Sequence, residues 1–360
     1  MKVLFVTEQK IMGGGEWNLL FLIKELHNYN LDIGVLSCND NLLNQLPDTI
    51  KKFNDPSVNK RGWLSFIPLI WRQINVKKIT GQDWDVIHIY SPNLTCRMLW
   101  NCSRKVWTVH GPWEHANGLR GAQLQLFIDK FLPVSQDVNN TCTITESKVR
   151  CIELGIKPSS YSKKSKRSKT QVLRTINFLC LGRYQPVKGQ DILLQALGKM
   201  CSYLPQNFVV NMSFYGEVDQ TRKEDVLYYE QLMVAKAEFD NSDQINVTFN
   251  PSCKEIETLF DWADVCIIPS RYESFSMVAA ESLSFGIPII VSDKGAPHTF
   301  LDGKSSGLIF ENDNADSLAS CLKKMIDKHE SFNCFSGYKD RFSISRQAKE
   351  ILEVYREVMG

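Results

Sequence analysis

The sequence predicts an α/β protein made of two successive parallel-sheet domains, and three observations carry that prediction. Its 360 residues exceed one ordinary domain and suit two of roughly 150 to 180 residues each. Short apolar runs rich in Val, Ile and Phe alternate with longer amphipathic stretches, the pattern of strands covered by helices. That alternation stops at a Ser- and Lys-rich segment and then begins afresh.

In the first half, strands are expected at residues 2–6, 33–37, 86–90, 105–109 and 130–133. Residues 156–169 have no apolar period and hold six basic residues from Lys157 to Lys169, which reads as a boundary. The second half offers strands at 176–181, 209–215, 245–249, 265–269, 289–292 and 308–310. The expected organisation is 1–160 for the first domain, 161–174 for a basic linker, 175–342 for the second domain, and 343–360 for a last helix. Two such domains imply a ligand cleft between them, because parallel sheets bind ligands beyond the carboxyl ends of their strands.

Composition narrows the function classes. Hydrophobic residues make up 43% and charged residues 23%, which excludes a disordered, collagen-like or wholly membrane-embedded chain. The net charge of +2 hides an asymmetry: 23 Lys and Arg stand against 14 Asp and Glu in residues 1–170, and 19 against 26 thereafter. A basic first half suits an anionic partner, although the linker supplies much of the excess. Eleven scattered cysteines without a CxxC pair point to free thiols in a reducing cytoplasm. No segment reads as a signal peptide or a transmembrane span, and sequons such as Asn93-Leu94-Thr95 are treated as chance.

The most informative segment runs from Pro269-Ser270-Arg271-Tyr272-Glu273-Ser274-Phe275-Ser276-Met277 through Glu281 to Gly286-Ile287-Pro288. A strand, a polar turn capped by Ser274 or Ser276, and a helix ending before Gly286 would present free N–H groups to an anion. Glu273 in the turn and Glu281 about one and a half turns into the helix would approach one ligand, and carboxylates suit sugar hydroxyls. The plainer reading is one Glu favoured by the helix dipole and one solvated Glu. After the strand at 176–181, Gly182-Arg183 precedes Lys188-Gly189, two cations five residues apart at another strand-to-helix passage. They suit a diphosphate, or else form an exposed turn before a helix.

In the first half, Gly13-Gly14-Gly15-Glu16 forms a Gly-rich loop opening a helix, where backbone can approach a phosphate or sugar closely. A dinucleotide fingerprint is disfavoured because Asn18 holds the third glycine position. His110 ends the strand at 105–109, where structural and functional roles are equally open.

Taken in order, these motifs resemble the family 4 glycosyltransferases of the GT-B fold. Gly13-Gly14-Gly15-Glu16 is similar to that family's GGxE loop, Asp85-Val86-Ile87-His88 to its DVIH strand, and Glu273 to Glu281 to its EX7E element. Val109-His110-Gly111, Val134-Ser135, Gly182-Arg183 with Lys188-Gly189, and Gly295-Ala296-Pro297 fall in the family's order. The resemblance implies two Rossmann-like parallel-sheet domains facing a central cleft, and a retaining transfer from a nucleotide-diphosphate sugar. By the same resemblance, Glu281 takes the ribose hydroxyls, Arg183 and Lys188 the diphosphate, and Glu273 the transferred sugar. Gly182, Ser274 and the N–H groups of Phe275, Ser276 and Met277 support them. Gly14 and Gly15 close over the donor, with His110 near the reacting sugar. No cofactor and no metal are expected, the nucleotide sugar being a substrate; Asp83-Trp84-Asp85 spells a metal-binding DxD but reads as a loop leading into the sheet. The sequence departs from the family at Leu154, at Ser274 and Ser276 in place of glycines, and at His298 in place of Glu, which bears on sugar selectivity.

The expected acceptor is a saccharide or lipid-linked saccharide in cell-surface polysaccharide synthesis. Residues 60–78 mix Trp63, Phe66 and Trp71 with Lys60, Arg61, Arg72, Lys77 and Lys78, a composition suited to an anionic membrane surface at the inner face or to a core helix. Two other classes fit less well. A non-catalytic sugar- or nucleotide-binding protein of the same fold would not need Arg183, Lys188, Glu273 and Glu281 together. A nicotinamide-dependent dehydrogenase would need the missing glycine. An acidic second half argues against nucleic acid.

Overall fold

The structure is a computed structural model that describes residues 1–59, 74–91, 101, 103–114, 118–157, 174–253, 255–301, 303, 305–328, 331–332, 334 and 337–360. The chain forms two compact units, Met1–Pro158 with Phe342–Gly360, and Ser159–Arg341. Most of the basic linker, the sequon at Asn93 and residues 60–73 of the aromatic and basic stretch lie outside the described residues.

The first unit contains β1 (Lys2–Thr7), β2 (Asp32–Ser37), β3 (Lys51–Asn54), β4 (Val86–Ile89), β5 (Arg104–Val109) and β6 (Lys130–Pro133). They form one parallel sheet in the order β3-β2-β1-β4-β5-β6. The second contains β7 (Arg174–Leu181), β8 (Phe208–Tyr215), β9 (Ile245–Asn250), β10 (Val265–Ile268), β11 (Ile289–Ser292) and β12 (Gly307–Phe310). Its order, β12-β11-β10-β7-β8-β9, repeats the first unit's arrangement. In each sheet the order reverses beside the unit's first strand, at β1/β4 and at β7/β10. Ligands bind outside the carboxyl ends of the strands at such points.

Eleven of these strands coincide with expected ones to within two residues at each end. The exception is β3, Lys-Lys-Phe-Asn, which lacks an apolar run because it is an edge strand with no fully buried residue. By contrast β10 and β11 are buried throughout, as strands covered on both faces must be.

The helix Ile344–Met359 belongs to the first unit. Ser343 caps it, its Oγ accepting from the Arg346 N–H at 3.1 Å, and Ile344, Ala348, Ile351, Leu352 and Tyr355 bury one face in the core. Polar pairing then fixes its register. Asn18 Nδ2 donates to Gly155 O (2.7 Å) and to Gln347 Oε1 (2.8 Å), and the Gly155 N–H donates to the same Gln347 oxygen (2.7 Å). His88 sits between Tyr355 Oη (2.6 Å) and Thr108 Oγ1 (2.8 Å). Burial and the neighbouring His110 push His88 down to about 3, so it remains a neutral structural imidazole. No helix among the described residues is long and apolar enough to cross a membrane.

Candidate active site

In the first unit, the Gly-rich segment is helical sooner than expected: Gly13 is the N-cap and Gly14 and Gly15 form the first turn of the helix Gly14–Leu26. The Glu16 carboxylate accepts from the Gly13 N–H at 3.1 Å, closing this start. Gly15 lies against His110; a Cβ placed there would stand 3.5 Å from the ring. His110 follows β5 directly, with its ring 5.3 Å from that of Tyr90. Desolvation pushes it down to about 4, so at neutral pH it is an uncharged imidazole with one donor and one acceptor nitrogen. The sequence's DxD is spent on structure. Asp83 pairs with Lys77 at 2.6 Å, and Asp85 accepts from the Lys2 N–H at 2.7 Å where β1 begins.

In the second unit, adjacent strands β7 and β10 deliver the two segments singled out above. From β7 come Gly182, Arg183 and the turn Pro186–Lys188; from β10 come Ser270 to Ser276 and the helix Met277–Ser284. Lys188 Nζ meets Glu273 Oε1 at 2.6 Å, and Ser270 Oγ donates to that same oxygen at 2.8 Å. The aliphatic stem of Lys188 passes Gly182, where a Cβ would lie 3.7 Å from Lys188 Cδ. Arg183 is exposed, and no ion pair holds it among the described residues. Ser270 had no signal of its own in the sequence.

Of the two serines proposed as cap, Ser276 holds the position. Its Oγ accepts from the Ala279 N–H at 3.3 Å, while Ser274 sits in the turn before it. Ser276 takes φ +76°, a left-handed conformation that L side chains rarely adopt and that suits glycine. Phe275 is buried against Phe300 at 5.1 Å and anchors the turn. The N–H groups of Met277 and Val278 open the helix and have no acceptor within it, which favours an anion there. The helix ends in a Schellman motif: Ile287 N–H donates to Ser282 O (2.9 Å) and Gly286 N–H to Leu283 O (3.0 Å).

Glu281 stands in the second turn, with no hydrogen-bond donor to its carboxyl among the described residues. Desolvation pushes it up to about 8 from an ordinary 4.5. At neutral pH this carboxyl is largely protonated, and hydroxyl donors from a ligand would favour its ionised, accepting form. His298, one of the departures noted in the sequence, has a buried Nδ1 without a hydrogen-bond partner among the described residues.

Residues 162–341, half of the chain, match the family model of the glycosyl transferases group 1. The chain belongs to that family. A D-inositol 3-phosphate glycosyltransferase of Thermomonospora curvata is 33% identical over 156 residues, which are 42% of this chain and 34% of that protein. An uncharacterized 41.2 kDa protein in the cps region of Klebsiella pneumoniae is 31% identical over 142 residues, 39% of this chain and 34% of that protein. The matching stretch therefore spans about a third of each relative's length. Among solved structures, Anabaena HepE in complex with UDP-glucose superposes with a TM-score of 0.75 at 18% identity, covering 99% of this chain and all of that one. This group 1 chain thus has the GT-B fold, two Rossmann-like units of six parallel strands each.

Proposed function

We propose that this group 1 chain is a retaining hexosyltransferase of the family 4 type. It moves a sugar from a nucleotide-diphosphate donor to a saccharide or lipid-linked acceptor in surface polysaccharide synthesis, working in the cytoplasm or at the inner membrane face. One observation carries the reading: at the β7/β10 reversal, Lys188, Glu273, the helix start at Met277 and the unpartnered Glu281 gather at neighbouring strand ends. HepE, crystallised with UDP-glucose, and a relative from a cps region support the donor class and the polysaccharide role.

Each residue then has a physical task. The bond from the anomeric carbon to the diphosphate oxygen breaks as negative charge gathers on the leaving phosphate. Arg183, Lys188 and the N–H groups of Met277 and Val278 stabilise that charge. Glu273 accepts from hydroxyls of the sugar and Glu281 accepts from the ribose, while His110, beside Gly15 in the first unit, offers a neutral imidazole to a sugar hydroxyl. The acceptor oxygen bonds to the anomeric carbon and its proton passes to the leaving phosphate, so no protein nucleophile is assigned.

A thermal-shift panel of UDP, GDP, ADP and their sugar conjugates, in EDTA, tests the donor reading. One nucleotide class should stabilise the wild type by about 2.7 kcal/mol at 100 times its Kd and lose that effect in Glu281→Ala and Arg183→Ala. A protein stabilised by NADH and by none of these would sink it.

Glu281 adds a pH signature. Its folded value of about 8 lies above the ordinary 4.5, so between those limits the folded state binds more protons than the unfolded. The contribution to stability present below pH 4.5 is therefore lost as pH rises toward 8. Nucleotide affinity should move oppositely, because ribose hydroxyls donate to the ionised carboxylate. Glu281→Gln is expected to flatten both trends and to raise the ligand-free Tm at pH 8 by about 2–4 °C per kcal/mol relieved, with weaker binding. Parallel pH profiles for variant and wild type would exclude Glu281 as the group responsible.

A further inference from the structure

Arg271 lies two residues before Glu273 and has the form of a phosphate-binding cation, yet each of its guanidinium nitrogens hydrogen-bonds within the protein. Nη1 and Nη2 fork onto Asp191 Oδ1 and Oδ2 at 3.0 and 2.8 Å, and Nη1 also donates to the carbonyl of Pro186. Nε and Nη2 both reach Asp313 Oδ1 at 2.9 Å. Four of the five N–H donors are thereby hydrogen-bonded within the protein, and Nη2 also stands in an ion pair with Asp313. Asp191 is itself braced by Tyr228 Oη, which donates to its Oδ1 at 2.7 Å. Burial would raise the Asp191 carboxyl, but hydrogen bonds from Arg271 and Tyr228 outweigh it and hold the group below its ordinary value.

The partners identify what is being held. Pro186 and Asp191 flank the turn that carries Lys188, and the Arg271 main-chain N–H donates to Val187 O within that turn at 2.8 Å. Gly189, at φ +67°, closes the same turn against the Pro269 carbonyl, where a Cβ would come within 2.1 Å. Main chain and guanidinium together fasten the Lys188 turn of β7 to the Glu273 turn of β10.

We infer that Arg271 is a positioning residue: with Asp191 and Tyr228 it sets Lys188 against Glu273 and makes no contact with the donor. Its importance for transfer rests on the proposed function, whereas the clamp is a property of the ligand-free protein. A lysine at this position keeps the charge but cannot fork onto Asp191 while reaching Pro186 and Asp313.

The test measures acylation of Lys188 by an N-hydroxysuccinimide ester, read by peptide mass spectrometry against Lys24 and Lys236 as internal references. Arg271→Gln should speed Lys188 labelling about tenfold, the factor that a 1.4 kcal/mol loosening gives, while the references stay unchanged. Arg271→Lys should give a smaller rise, and it carries the test alone if the Gln variant does not fold. An unchanged Lys188 rate in a folded variant overturns the proposal. Calorimetry with UDP, GDP and ADP supplies the second arm. If the wild type binds one of them, Lys188→Ala with Arg271→Gln should bind it no more weakly than Lys188→Ala alone, because both changes remove the same contact. Fully additive losses would mean that Arg271 touches the nucleotide and would overturn the inference. Binding of none would overturn the donor reading, and the labelling arm would still decide the clamp.

Discussion

Lys188→Ala is expected to lower the turnover of sugar transfer by about 10²–10³-fold, the range seen when one preorganised group at a developing anion is removed. The ion pair at 2.6 Å shows why the loss should reach beyond charge on the diphosphate. Lys188 orients Glu273, and the two side chains are only 25% and 15% exposed. Removing the cation leaves a largely desolvated carboxylate with Ser270 as its remaining side-chain donor, so the ligand-free protein should also melt at lower temperature. Arg183→Ala separates the two effects. Its guanidinium is exposed and holds no ion pair among the described residues, so stability should stay within about 0.5 kcal/mol while transfer falls. The check is kcat and Tm for both variants, using the donor found in the nucleotide panel. Equal melting losses in the two would contradict the different environments of these cations.

What was legible in the sequence follows from which interactions are local. Strands β7, β10 and β11 announce themselves because burial on both faces demands continuous apolar runs, and the helix stop at Gly286 because a left-handed residue is needed there. The strand β3 does not, since an edge strand needs no such run. Gly14 and Gly15 read as loop because glycine is a poor helix former, yet Glu16 closes the cap and allows the helix to begin among them. Long-range pairings had no sequence signal at all. Asn18 finds Gln347 across 329 positions, and His88 in the DVIH strand finds Tyr355 across 267. The same limit hid the Arg271 clamp: Arg271 stood inside the most informative segment, but Asp191 and Asp313 lie 80 positions before it and 42 after it. Spacing along a chain names the groups that a ligand needs; only the fold shows which of them are already spent on each other.

Three glycines of the second unit give the sharpest test that this site depends on backbone shape, because the same substitution should have three different outcomes. Gly198 lies exposed in the helix Gln190–Met200, with nothing near an added Cβ. Gly198→Ala should therefore stabilise the protein by about 0.4–1 kcal/mol through lost freedom in the unfolded chain. Gly286 also has open space but sits at φ +79°, so Gly286→Ala should cost about 1–2 kcal/mol, the penalty of a left-handed L residue alone. Gly295 combines φ +77° with contact: an added Cβ would stand 2.1 Å from the Glu273 carbonyl oxygen and 2.7 Å from its nitrogen. These are main-chain atoms, which cannot swing aside as the tip of a side chain can. The Ala296 N–H, which donates to that carbonyl at 2.8 Å, must shift with them. Gly295→Ala should be the most destabilising of the three, and because Glu273 moves with its peptide, Lys188 should lose its partner and nucleotide-sugar binding should weaken. Denaturant unfolding orders the three variants, and calorimetry with the panel's nucleotide and its sugar conjugate reads the site. If Gly295→Ala cost no more than Gly286→Ala and left sugar-conjugate affinity intact, the Glu273 turn would not depend on the close approach of the Gly295 loop.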